Sequence, residues 1–230
     1  MSYYSSHPKL LVAVDSIIFG FNENEHDLKL LLLKRNFQPE MGKWSLMGGF
    51  VDPDENLDDA AKRIVAQLTG LNNVYMEQLY TFGDVNRDIG GRIISVAYFS
   101  LIKINEHDSE LVKKHGASWI PLTQLPELIF DHKEMVDKAL RKLRIRARTQ
   151  PIGFELLPEK FTIPQIQRLY EAIYQVPFDK RNFRRKLLLM NLLEKQDDKE
   201  KETSRKGAYY YRFNQHKYDE LIEKGFNFDL

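Results

Sequence analysis

The chain contains no cysteine in its 230 residues. That absence excludes zinc ribbons, iron–sulfur centres, thiol catalysis and a disulfide framework, and it fits a reducing compartment. Long apolar runs are also missing: Leu30 to Leu33 is far short of the about 20 residues that span a bilayer. No basic segment leads into an apolar stretch over Met1 to Lys9, so the start does not read as a signal peptide. Neither sign of charge dominates, with 34 Lys and Arg against 33 Asp and Glu. No segment repeats at the spacing of a solenoid. What is present is 43% hydrophobic, 12% aromatic and 29% charged residues, a composition that builds a core and excludes wholesale disorder. The expectation is a cytoplasmic protein of one or two domains.

Residues 1–150 read as mixed α/β. Leu10–Phe19 and Leu28–Leu33 are apolar strand candidates on either side of a polar turn, and Tyr75–Phe82 and Ile93–Ile104 are rich in aromatic and β-branched residues. A helix is expected from Asn56 to Leu68, closed by Gly70, and another from His132 to Ala147, capped by Asp131. Thr149–Pro158, with two prolines and a glycine, is the expected boundary, dividing the chain into 1–150 and 151–230.

The second part reads as helical and then as a hairpin. Thr162 and Gln165 have capping-box spacing ahead of the stripe Ile163, Ile166, Leu169, Tyr170 and Ile173. After a break at Val176-Pro177-Phe178, Asp179 caps a helix with Phe183, Leu187 and Met190 at i, i+4, i+7. A hairpin follows, with a polar tip over Asp197–Lys206 and Tyr209, Tyr211 and Phe213 alternating towards a core. Helix, turn, basic helix and hairpin together describe a winged helix-turn-helix.

That second helix opens with Lys180, Arg181, Asn182, Arg184, Arg185 and Lys186, five cations with no anion. The amino end of a helix carries partial positive charge, so cations there are unfavourable by about 0.3–1 kcal/mol each. A phosphate backbone reverses that sign, and arginine forks suit guanine edges. These six residues, with Arg205 and Lys206 in the wing, are the expected contacts to double-stranded DNA.

In the first part, Gly49, Glu55, Arg63, Val65, Gly70 and Leu71 stand at the offsets of the Nudix box, which they resemble. The resemblance implies a Nudix sandwich. In active members of that family, glutamates follow the arginine directly and again three and four positions on, where they share a helical face and hold a divalent cation against a diphosphate. Ile64, Gln67 and Leu68 stand there, and Met47 and Asp54 replace the usual Pro and Gly. The expectation is a retained fold with no catalytic residues, no metal and no cofactor. The alternative is a hydrolase of ADP-ribose or another nucleoside diphosphate derivative that recruits ligands elsewhere. A third reading is a protein-docking module without DNA affinity.

Glu55 and Arg63 are expected to form an ion pair that shapes the box, or to meet a ligand. Arg35, Trp44, Asp88, Arg92 and His132 are further candidates for lining a polar small-molecule pocket.

Taken whole, the chain resembles the Nudix-related transcriptional regulators. The carriers are Gly49/Glu55/Arg63/Gly70, Leu125-Pro126 with Phe130-Asp131-His132, Leu169–Ile173, and above all Phe178–Lys186. The resemblance implies homodimers that bind palindromic operators and adjust them when an effector occupies the Nudix domain. One branch responds to ADP-ribose, another to a pentose such as L-arabinose. The loop Asn86-Arg87-Asp88-Ile89-Gly90-Gly91-Arg92 lacks an arginine of the commoner pattern at Gly90, which favours the sugar branch.

Overall fold

The computed structural model describes residues 6–104, 106–201, 207–226 and 228. They form two compact units, one of residues 1–20 and 29–139, the other of residues 21–28 and 140–230. The first unit is built on a sheet of seven strands: β1 (Leu11–Asn22), β2 (Asp27–Lys34), β3 (Trp44–Ser45), β4 (Met47–Phe50), β5 (Glu77–Phe82), β6 (Ile93–Lys103) and β7 (Ala117–Pro121). The order β3-β2-β1-β6-β5 is branched by β4 on β1 and β7 on β2. β1 is buried from Ala13 to Phe21, as a strand covered on both faces must be, which explains its nearly unbroken apolar run.

Helix α1 (Leu57–Thr69) is acidic in its first turn and closes at Gly70 in the left-handed region, as the sequence predicts. Its apolar face, Ala60, Ala61 and Ile64, packs with Val14, Val96 and Tyr98, and Val65 joins a second cluster around Ile18, Leu31 and Met47. Tyr98 donates to Asp58 at 2.6 Å, which ties β6 to the helix start. α2 (Glu106–Lys114) had no sequence expectation, and its Val112 completes the second cluster. α3 (His132–Thr149) is one continuous helix whose first eight residues belong to the first unit and whose remainder belongs to the second.

The second unit carries α4 (Ile163–Tyr174), α5 (Lys180–Leu189), α6 (Gln215–Glu223) and a three-stranded antiparallel sheet of β8 (Phe161–Thr162), β9 (Leu193–Glu200) and β10 (Ala208–Phe213), ordered β8-β10-β9. The expected stripe of α4 is buried, and the Thr162–Gln165 capping box forms in both directions. Gln175 ends α4 with φ 59°, and two side chains of α4 pin the turn. Glu171 accepts the Phe178 amide at 2.8 Å, and Gln167 donates to the Phe178 carbonyl at 3.2 Å. Phe178 then stacks on Phe183, with Tyr170 edge-on at 6.0 Å, so the aromatic core of the turn fixes α5.

Two expectations for the hairpin are corrected. β9 runs through the charged stretch to Glu200, so the tip is shorter than Asp197–Lys206. Charge does not stop a strand whose side chains face water. Tyr209 does not join the core. A register shift lies between Tyr209 and Tyr211, and Tyr209 is half-buried beneath the ammonium groups of Lys195 and Lys199, 3.6 and 4.2 Å from its ring. Tyr211 is buried, and Phe213 packs on Phe154. α6, capped by Asn214, was not expected from the sequence. Among the described residues no helix is long and apolar enough to cross a membrane.

Replacing Thr162 with Ala removes one half of the capping box and should cost about 1 kcal/mol of stability. Urea denaturation measures this, and an unchanged midpoint would show that the box contributes nothing to the folding of α4.

Candidate functional site

The first unit encloses a cavity of about 380 Å³, within the range of small-molecule sites. Its floor comes from β1 and the glycine pair of β4. Asp15, one acid inside the apolar β1, is 6% exposed and accepts from Ser95 at 2.6 Å. Gly48 pairs with Asp15 across the sheet, and a Cβ there would lie 2.1 Å from the Asp15 carboxylate, so only glycine leaves room for it.

A buried polar network forms one wall. Arg87 is 7% exposed and donates Nε and an NH2 group to the two oxygens of Asp131, each at 2.8 Å. Its NH2 also lies 3.6 Å from Asp15. Burial opposes the Arg87 charge, but the Asp131 fork and the nearby carboxylates outweigh it and raise its pKa. His132 follows Asp131 and is 4% exposed. Its Nδ1 accepts the Leu46 amide at 3.1 Å, which leaves Nε2 to carry the proton, 3.6 Å from Asp15. Burial pushes the imidazole pKa down, against the pull of Asp15 and Asp131. Phe130, immediately before this pair, has φ +50°, a strained conformation for an aromatic residue.

Arg35 supplies a second cation to the cavity. Its guanidinium lies 4.0 Å from the Phe37 ring centroid and 5.6 Å from that of Phe130. Burial lowers its pKa, opposed by Asp88, Asp15 and Glu40. Its Nε is buried without a hydrogen-bond partner, a donor available to a bound group.

Of the expected sensing residues, Arg35, Asp88 and His132 line this cavity, whereas Trp44, Glu55, Arg63 and Arg92 do not. Trp44 is on β3 with the Lys34 ammonium 5.1 Å above its ring. Arg92 holds its own loop by donating to the Gly83 and Asp84 carbonyls. Sequence reasoning missed Asp15 and Arg87. A lone acid within an apolar strand was the available signal for Asp15, and the arginine that the Asn86–Arg92 loop shares with the family pattern was the signal for Arg87.

Glu55 and Arg63 form the expected ion pair. Arg63 Nε donates to Glu55 at 2.9 Å, its NH2 group binds the other oxygen, and that group also reaches the Phe50 carbonyl at 3.0 Å. The Arg63 fork and the Asp52 amide hold the Glu55 carboxyl down to about 2. Ile64, where active relatives of this motif carry a glutamate, is 3% exposed and packed in the core. Leu68 is half-buried, and Gln67 accepts from Arg63 at 3.3 Å. These residues do not fit a divalent cation. Position 64 faces apolar side chains, and the one carboxylate of the motif is neutralised by arginine. Among the described residues no three His, Asp or Glu side chains gather as a metal site.

The second candidate site is α5. Lys180, Arg181, Asn182, Arg184, Arg185 and Lys186 are all exposed, while Phe183 and Leu187 are buried. The Asp179 side chain accepts the Asn182 amide at 2.8 Å, and Arg185 donates to Asn182 at 2.9 Å. Lys180, Arg181, Arg184 and Lys186 make no ion pair with any described residue. Arg205 and Lys206 lie outside the described residues.

The His132 pKa is lowered, so its contribution to stability is present above the unfolded value near 6.5 and is lost as pH falls through the folded value. The stability advantage of the wild type over His132→Gln should therefore shrink below about pH 6.5. Urea midpoints at successive pH values test this, and a pH-independent difference would contradict the neutral, amide-accepting imidazole.

Comparison with known proteins agrees with this geometry. Residues 9–141 match the NUDIX domain and residues 153–213 the NrtR DNA-binding winged helix domain. The chain is 32% identical over 219 residues to the ADPR responsive transcriptional repressor NtrR of Acinetobacter baylyi, covering 94% of this chain and 86% of that one. It is 33% identical over 135 residues to the ADP-ribose pyrophosphatase of Methanocaldococcus jannaschii, covering 59% of this chain and 75% of the other. The crystal structure of Shewanella oneidensis NrtR complexed with a 27mer DNA matches with a TM-score of 0.70 and 30% identity, over 88% of this chain and 93% of that one. The NUDIX domain of the same protein, complexed with ADP ribose, matches with a TM-score of 0.52 and 32% identity, over 60% of this chain and 92% of that domain. The chain belongs to the NrtR-type family, in which a Nudix domain is followed by a C-terminal winged helix domain.

Proposed function

We propose that the protein is a transcriptional repressor that reads operator DNA with α5 and responds to ADP-ribose bound in the cavity of its Nudix unit. The observation that carries the DNA reading is the exposed, unneutralised cation array at the start of α5, set on a helix-turn-helix whose apolar side is packed away. Such an array opposes the helix dipole and gains from phosphates. Relatives support the reading: the A. baylyi protein is a repressor, and the S. oneidensis protein was crystallised with DNA.

ADP-ribose replaces the pentose expected from Gly90. The A. baylyi repressor is ADPR responsive, and the S. oneidensis NUDIX domain binds ADP ribose. The missing arginine at position 90 is a poor guide because cavity cations come from elsewhere, Arg35 from the end of β2 and Arg87 from the same loop. Arg35, with its buried and unpaired Nε, suits a diphosphate. With Ile64 and Leu68 in place of carboxylates, the domain holds its ligand without hydrolysing it. The hydrolase reading retains support from the M. jannaschii relative. It predicts metal-dependent turnover. Homodimers on palindromic sites complete the proposal, and an effector that prefers DNA-incompetent conformers shifts the population away from the operator.

Selection from a random duplex pool, followed by fluorescence anisotropy on the recovered site, tests the reading. ADP-ribose should weaken binding and L-arabinose should leave it unchanged. Arg184→Ala and Arg185→Ala should each cost affinity, by about 1–3 kcal/mol where the side chain contacts a base. Recovery of no site, or affinity indifferent to ADP-ribose and to both substitutions, would overturn the proposal.

A further inference from the structure

The sequence divides the chain after residue 150, which assigns the end of α3 to the first part. The compact units assign it to the second. Residues 140–230 carry 20 Lys and Arg against 13 Asp and Glu, and residues 1–139 carry 14 against 20. Five of the 20 cations come from one short stretch. Arg141, Lys142, Arg144, Arg146 and Arg148 stand within eight residues of α3 with no acid among them.

This stretch has a buried face and a charged face. Taking Arg141 as 0° and about 100° per residue, Arg148, Ile145 and Lys142 fall at about −20°, 40° and 100°, and Leu143 and Ala147 at about 200° and 240°. Leu143 and Ala147 are buried, while Arg141, Lys142 and Arg148 are exposed and Ile145 is 62% exposed. Helix-dipole stabilisation accounts for cations in the last turn, such as Arg146 and Arg148. It fades before Arg141 and Lys142, which lie two turns from the end. Arg141 makes no hydrogen bond or ion pair with any described residue.

The stretch is also fixed to the reading head. Arg144 Nε donates to the Ile173 carbonyl at 3.1 Å, and the Tyr174 hydroxyl donates to the Arg144 carbonyl at 2.9 Å. Ile173 and Tyr174 end α4, and the turn pinned by Gln167 and Glu171 leads from there directly to Asp179 and the cations of α5. We infer that the C-terminal half of α3 is a second DNA-contacting surface, which meets the phosphate backbone beside the duplex segment read by α5. The inference rests on the DNA-binding reading. Phosphate is the chemistry indicated, because this face carries no aromatic ring for stacking on unpaired bases and no acceptor set for base edges. A face of one sign also repels its own copy across a two-fold axis.

The test uses the full-length protein and a mixed-sequence duplex of about 40 bp, with anisotropy measured from about 50 to 250 mM NaCl. The triple variant Arg141→Gln, Lys142→Gln, Arg148→Gln should give a log affinity against log salt slope shallower than wild type by about 2–3, since each neutralised phosphate contributes about 0.9. The variant R141K/R148K should keep the wild-type slope, because a backbone contact needs charge rather than a fork. Circular dichroism melts matched to wild type exclude misfolding, and these exposed positions make that the expected result. If R184A/R185A weakens binding while the glutamine variant keeps the wild-type slope, the DNA reading stands and this surface falls. If the wild type binds no duplex at any salt, both fall together.

Discussion

A guanidinium removed from water must be neutralised where it sits, and Arg87 imposes that requirement on the Nudix unit. Its partner Asp131 lies 44 residues away at the start of α3, and Asp15 lies in the middle of β1. Asp15 in turn fixes Ser95 on β6 and excludes any side chain at Gly48. His132 closes the set by accepting the Leu46 amide beside β4. One buried charge thus joins the loop of residues 83–92, three strands and the entry to a helix, and together they make the polar wall of the cavity. Removing one member of such a pair typically costs 3–5 kcal/mol, because the other remains buried and unpaired.

In the Nudix box, Arg63 and Glu55 form a structural clasp. Arg63 grips Glu55 and the Phe50 carbonyl, holding the loop after β4 against α1. Ile64 fills with hydrocarbon the position from which a glutamate would reach a cation. The cavity presents Arg35, with an unpaired buried donor beside Phe37 and Phe130, while Arg87 is already paired with Asp131. Charge recognition by arginine does not require the water-activating geometry that hydrolysis does.

Local signals in the chain located much of this fold. The capping box at Thr162, the αL residue Gly70 and the apolar stripe of α4 each act through residues three or four apart, and each formed as expected. The polar network was hidden because its hydrogen-bonded partners are 44 to 86 residues apart and become neighbours only through the fold. α2 and α6 escaped notice because charged and polar residues weaken their apolar stripes. The wing misled for a related reason: Tyr209 alternates correctly with Tyr211, yet the register shift leaves it to lysines rather than to the core. The basic end of α3 is tied to the end of α4 through Arg144 and Tyr174, a pairing 29 to 30 residues apart that proline and glycine content does not reveal.

The central claim is that this Nudix domain senses a nucleoside diphosphate without cleaving it. Phosphorus NMR of ADP-ribose incubated with excess protein and Mg²⁺ or Mn²⁺ tests it most directly. The account predicts diphosphate signals that shift or broaden on binding and return unchanged when the protein is removed. Metal-dependent conversion to AMP and ribose 5-phosphate, abolished by Glu55→Gln, would contradict it.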